Sequence, residues 1–128
     1  MKLSIIPFFG ALFIFFGVMM GALGSHFLVE KISSASVQSF RIATRYMLFH
    51  GLALLVFPII PYLSELQKLR AGGCIVLGVV LFSMSILALS TKNWHGVSVG
   101  FLGPITPLGG LFLLAGWGYI VVQLWKHL

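Results

Sequence analysis

From Leu3 to Leu23 the chain carries no charged side chain, and a helix of that length spans about 30 Å at a rise of about 1.5 Å per residue. That matches the hydrocarbon thickness of a bilayer. Similar charge-free runs follow from Tyr46 to Tyr62, from Ala71 to Ser90 and from Pro107 to Trp125. Each crossing needs roughly 20 residues, so four crossings use about 80 of the 128 and leave about 48 for three connections and two ends. Five would be crowded. With 59% hydrophobic and only 8% charged residues, the chain falls far below the roughly one-quarter charged content of a soluble domain. These features predict an all-α integral membrane protein, a single domain over residues 1–128 built as a four-transmembrane-helix bundle.

The net charge of +6 arises from eight Lys and Arg against two acids, Glu30 and Glu65. The basic residues are scattered singly between apolar runs, so they point to lipid headgroups rather than nucleic acid. Cys74 is the only cysteine, which excludes an intrachain disulfide and a thiolate metal site made by one chain. Lys2, the first apolar run and Gly21-Ala22-Leu23-Gly24-Ser25 resemble a secretory signal with its cleavage site. The apolar core of such a signal runs about 7 to 15 residues, and this one is long enough to span. It is read as the first membrane helix.

The pattern predicts helices over about 3–23, 36–62 with residues 46–62 embedded, 71–90 and 107–125. Pro7 falls in a first turn, where a missing N–H is tolerated. Ser33, Ser34 and Ser36 are able to cap the second helix, and Pro58 and Pro61 should bend or end it. Ser64 to Arg70 reads as a short polar connection, Thr91 to Gly103 as a loop, and Thr106-Pro107 as a cap and first-turn pair. Four crossings place both termini on one side. The opposite side then collects Ser25, His26, Arg41, Arg45, Asn93, His95 and Thr106, with Tyr46 and His50 about one to two turns below the headgroups. Lys and Arg divide four and four, Lys31, Arg41, Arg45 and Lys92 against Lys2, Lys68, Arg70 and Lys126. Assigning Arg41 and Arg45 to the helix tips the balance towards cytoplasmic termini.

Small residues form the most ordered pattern. At about 100° per residue, Gly10, Gly17, Gly21 and Gly24 fall within a sector of about 60°, and Gly17-x-x-x-Gly21 has the spacing of close helix pairs. Gly73, Gly78, Ser83 and Ser85 repeat the theme in the third helix, and Gly109, Gly110, Gly116 and Gly118 in the fourth. Helix packing explains these faces; a groove for a lipid tail or quinone would use the same glycines uncovered.

His50 shares a helical face with Ala43, Tyr46, Ala53 and Leu54, while Arg41 and Arg45 point nearly the opposite way. A buried imidazole needs a donor and an acceptor partner, and His26, Ser25 and Thr106 are the candidates. His26, His50, Tyr46, Arg45, Thr106 and Ser25 thus form a candidate polar cluster, either structural or ligand-binding. Two histidines on adjacent helices suit haem ligation in principle. Nothing else marks a macrocycle pocket, so no cofactor or metal is assigned, and haem or quinone stands only as an alternative. Asp is absent from the chain and Glu30 and Glu65 are expected on opposite sides. That removes a Ser/His/Asp set and paired-carboxylate chemistry. No Asp, Glu, Lys or Arg lies within the predicted hydrocarbon-embedded spans, which argues against ion-coupled transport and voltage sensing.

Several motifs resemble one family across nearly the whole chain. They are Gly21-Ala22-Leu23-Gly24-Ser25-His26, then Phe40 with Ile42-Ala43, Arg45-Tyr46 and His50-Gly51-Leu52-Ala53-Leu54-Leu55, then Gly78 with Leu81-Phe82-Ser83-Met84-Ser85, and last Ile105-Thr106-Pro107-Leu108-Gly109-Gly110 with Ala115-Gly116-Trp117. The set is similar to the family catalogued as domain of unknown function 423, small bacterial inner-membrane proteins akin to the eukaryotic transmembrane protein 256. Ser25 stands where that family often has Ala, and Met47 where it often has Gln, which removes an amide near His50. The resemblance implies four transmembrane helices in the bacterial cytoplasmic membrane, or the mitochondrial inner membrane in a eukaryote, and no activity. The chain is therefore read as a non-catalytic accessory or scaffolding component that packs against lipid, other membrane subunits or itself. The alternative is a binder of a lipid, quinone or other small amphiphile near one membrane face.

Overall fold

The computed structural model describes residues 2–128 and consists of four long helical passes. The first is α1, Ile5–His26. The second is α2, Ser34–Val56, prolonged by a 3-10 turn over Phe57–Ile59. The third comprises α3, Glu65–Val79, a π-helical segment Val80–Met84, and α4, Ser85–His95. After a 3-10 turn at Gly100–Leu102, α5 forms the fourth over Ile105–Trp125. All four passes are long and apolar enough to cross a membrane.

Local chemistry sets the boundaries, and in places it moves them from where charge alone would put them. The Ser33 hydroxyl accepts from the Ser36 N–H at 3.2 Å and starts α2. The third pass begins at Glu65, not near Ala71, because Ser64 and Gln67 form a reciprocal capping box that satisfies two orphan backbone donors. The polar stretch expected as a connection thus rides on the helix, with Lys68 Nζ donating to the Pro58 carbonyl. The same pass continues through Lys92, Asn93 and Trp94, expected in a loop, to His95. There Gly96, at φ 70°, takes the left-handed conformation that glycine adopts without strain and closes the helix on the Lys92 carbonyl. The second pass stops at Ile59, short of Tyr62, with Pro58 and Pro61 unable to continue the hydrogen-bond ladder. Thr106 lies within the first turn of α5 and makes no cap; Pro104 holds the N-cap position.

Two antiparallel helix pairs build the bundle. In the first, the Gly10 face of α1 lies so close to α2 that a methyl on Gly10 would stand 2.7 Å from the Gly51 carbonyl oxygen, and one on Gly51 would stand 2.8 Å from the Gly10 oxygen. Gly17 meets Leu48, and Gly24 meets the Phe40 ring. In the second pair Gly78 receives Leu113, Gly109 abuts the backbone of Phe82, and Gly116 covers Ile75 and the Ala71 carbonyl. The pairs join where Ile6 fits over Gly72 and where the buried Ser83 hydroxyl donates to the Ala43 carbonyl at 3.0 Å. Met47, Leu54, Phe57, Ile75 and Val79 are sealed between them. At one end Tyr62 stacks on His127 at 4.7 Å, and at the other Phe27 meets Trp94 edge-on at 5.6 Å. Both termini therefore share one end of the bundle.

Apart from Ser83, several hydroxyls inside the spans spend their hydrogens on carbonyls of their own helix: Thr44 on Phe40, Ser90 on Ile86 and Thr91 on Leu87. Among the described residues no sealed side-chain polar atom is left without a partner, as a solvent without water requires.

Candidate functional site

The six polar residues singled out in the sequence divide among separate places. Ser25 and Arg45 flank a shallow cleft between α1 and α2, together with Arg41 and Thr44. His26 is exposed in the last turn of α1. Thr106 pairs with Ser85 across α5 and α4, their hydroxyls 2.7 Å apart. Tyr46 and His50 remain together elsewhere, one turn apart on α2 with rings stacked at 5.5 Å. His50 does not reach His26, Ser25 or Thr106; its Nδ1 is 2.8 Å from the Tyr46 carbonyl of its own helix. The reason lies in the depth of the residue.

His50 stands sixteen positions after Ser34, about 24 Å along the axis. Its neighbours Leu48 and Gly51 pack against Gly17 and Gly10, which bracket the middle of α1. The imidazole therefore lies near mid-depth, far below the one to two turns expected. His26 lies beyond Gly24, and Gly24 packs on Phe40, ten residues along α2 from His50, or about 15 Å. The two histidines cannot share a macrocycle. Among the described residues no three His, Cys or acidic side chains converge as metal ligands.

Around Tyr46 and His50 opens a groove of about 640 Å³. Phe82 forms one wall, its ring 4.5 Å from that of Tyr46. Trp117 forms another, 6.1 Å from the His50 ring. Pro107 and Gly110 line the α5 side. The rim is lipid-facing, with Phe49 68% and Leu114 71% exposed. Gly110, grouped by sequence with the packing glycines, has open space where a Cβ would stand, unlike its neighbour Gly109. It widens the groove instead of closing an interface.

Phe82 owes its position to the π-helical segment. One extra residue per turn offsets the third pass there, and π-bulges are frequent at functional sites. The Ser85 hydroxyl lies within hydrogen-bond reach of the carbonyls of Leu81 and Phe82, at 2.5 and 3.0 Å. Sequence reasoning missed Phe82, Phe49, Pro107 and Trp117 as groove residues. A usable signal existed for Trp117: tryptophans concentrate at membrane interfaces, and this one stands twelve positions into α5, close to the middle of its span.

The imidazole has one fixed role. A backbone carbonyl only accepts, so Nδ1 carries the hydrogen and donates to Tyr46, and in the neutral ring Nε2 presents a lone pair. Nε2 has no partner among the described residues and is not sealed off. The site is thus an aromatic trough with a hydrogen-bond acceptor on its wall.

Comparison with known proteins places this arrangement. The family described as "Protein of unknown function (DUF423)" matches residues 20–110. The chain belongs to the DUF423 family. That match takes in Tyr46, His50, Phe82, Pro107 and Gly110. The DUF423 chain is also 36% identical over 126 residues to a UPF0382 membrane protein of Staphylococcus haemolyticus, covering 98% of each chain. It is 36% identical to one of Staphylococcus aureus over the same share of both chains. A third, from Staphylococcus saprophyticus, is 33% identical over 98% of this chain and 99% of its own length. No solved structure matches. This DUF423 protein is a membrane protein of a family of unknown function.

Proposed function

We propose that the protein is a non-catalytic accessory component of the bacterial cytoplasmic membrane that holds a small amphiphile in the lipid-facing groove between α2, the π-helical segment and α5. One observation carries this reading: an imidazole with a free ring nitrogen stands at mid-depth on a wall open to lipid. Ionisable side chains at such a depth are rare and are functional candidates by default. The glycine faces add support by what they leave over. Gly10, Gly17, Gly24, Gly78, Gly109 and Gly116 are occupied by packing within the chain, whereas Gly110 is open at the groove.

The reading is tested by extracting the wild type and Gly110→Leu in mild detergent and identifying the amphiphiles that copurify. The leucine side chain would project from a position that lines the groove and has open space at its Cβ. We expect an amphiphile retained by wild type and lost from a variant that still unfolds at the wild-type temperature. Identical extracts from both would overturn the reading.

Assembly with other membrane subunits, or with a second copy, is a second reading. It draws on Gly118, which has nothing within 4 Å and lies beside exposed Leu114, Val121 and Val122, a surface that admits close approach of another helix. Migration with a larger species on native electrophoresis, lost in Gly118→Leu, would support it; monomeric migration in several detergents would remove it. For orientation we place both termini in the cytoplasm. Arg41 and Arg45 lie within α2, while Lys2 and Lys126 flank the opposite end with Lys68 and Arg70 in the first two turns of α3.

A further inference from the structure

An occupant of the groove faces one polar contact of fixed sense at a depth that charged headgroups reach only at great cost. The sense follows from the Tyr46 carbonyl, which takes the Nδ1 hydrogen and leaves Nε2 as an acceptor. A ligand carbonyl opposite Nε2 would set lone pair against lone pair, whereas a hydroxyl hydrogen satisfies both. The Tyr46 phenol can donate or accept and so does not discriminate. Three walls are flat rings, those of Tyr46, Phe82 and Trp117, and aromatic faces favour another ring in offset or edge contact. The volume of about 640 Å³ suits a ring and the first part of a tail, with the remainder running out past Phe49 and Leu114 into lipid.

We infer that the groove is built for an uncharged, ring-bearing amphiphile that donates a hydroxyl hydrogen to His50 Nε2, a lipid-soluble hydroquinone or phenol in chemical class. This rests on the amphiphile-holding role proposed above and adds the ring and the donor hydroxyl.

The experiment compares a decyl-substituted hydroquinone, kept reduced, with its dimethyl ether, which has the same ring and tail but no hydroxyl hydrogen. Replacing Trp94 and Trp125 by Phe leaves Trp117 as the only tryptophan, and its fluorescence in detergent micelles reports occupancy. The shift in unfolding temperature given by the same two compounds to the unmodified chain reads the preference a second way. We expect the hydroquinone to bind about tenfold more tightly than the ether. His50→Phe should bring the two to equal affinity, and Gly110→Leu should lose both. Equal binding of both compounds by the wild type, lost in Gly110→Leu, would overturn the donor-hydroxyl inference while leaving the groove reading intact. Binding of neither compound would overturn the ligand class, with copurification then deciding the groove reading separately. Binding of both undiminished by Gly110→Leu would overturn the two together.

Discussion

A glycine in this bundle has one of two opposite uses, and only its neighbour decides which. Gly10 and Gly51 face one another across α1 and α2, each within 3 Å of the other's carbonyl once a methyl is added. Backbone cannot move aside as a side-chain tip can. Gly10→Ala and Gly51→Ala should each lower stability by about 1–3 kcal/mol in thermal unfolding in detergent, whereas Gly110→Ala, with open space around it, should leave it unchanged or raise it by up to about 1 kcal/mol through helix propensity. A fall at Gly110 matching that at Gly10 would contradict the packing described. The spacing of Gly10, Gly17 and Gly24 was legible as one face of a helix. That Gly109 is covered and Gly110 bare was not, because residues adjacent in sequence point about 100° apart and the sequence does not say where the partner helix stands.

At the level of elements, two polar motifs that look alike in the sequence do different work. Ser64 and Thr106 are both hydroxyl residues at the start of a helix, but only Ser64 caps its helix, through the reciprocal box with Gln67. Thr106 instead ties α5 to α4 through Ser85, the residue that also reaches the Leu81 and Phe82 carbonyls within the π-helical segment. Ser64→Ala should therefore cost about 1 kcal/mol whatever the state of Ser85. Thr106→Val should cost about 0.6 kcal/mol, typical of a hydrogen bond between membrane helices, and almost nothing further in a Ser85→Ala background. A double-mutant cycle in detergent unfolding measures this coupling, and additive losses would mean that the pair does not act as one. The π-helical offset itself leaves no mark in the apolar pattern. Its apolar residues fit an α-helix equally well, and only the structure shows that the Phe82 backbone within it packs directly on Gly109.

Across the whole molecule, the stacking of Tyr62 on His127 and of Phe27 on Trp94 makes the topology a test of the fold. In a Cys74→Ala background, single cysteines at Lys2 and Leu128 should be labelled from the same compartment by a membrane-impermeant thiol reagent. Cysteines at Lys31 and Ser98 should be labelled from the other. Any split within either pair would break the four-pass bundle.

The crossings, their number and the shared side of the termini follow from the sequence alone, since runs without charge are forced into lipid whatever their neighbours are. The polar cluster expected near one face depended on where α2 begins and how far α1 and α2 slide past each other. That register is set by Gly10 and Gly51 closing backbone to backbone, a tertiary contact. It carries His50 to mid-depth beside Phe82 and Trp117, away from His26 and Thr106, and so makes an aromatic groove where the sequence suggested a polar one.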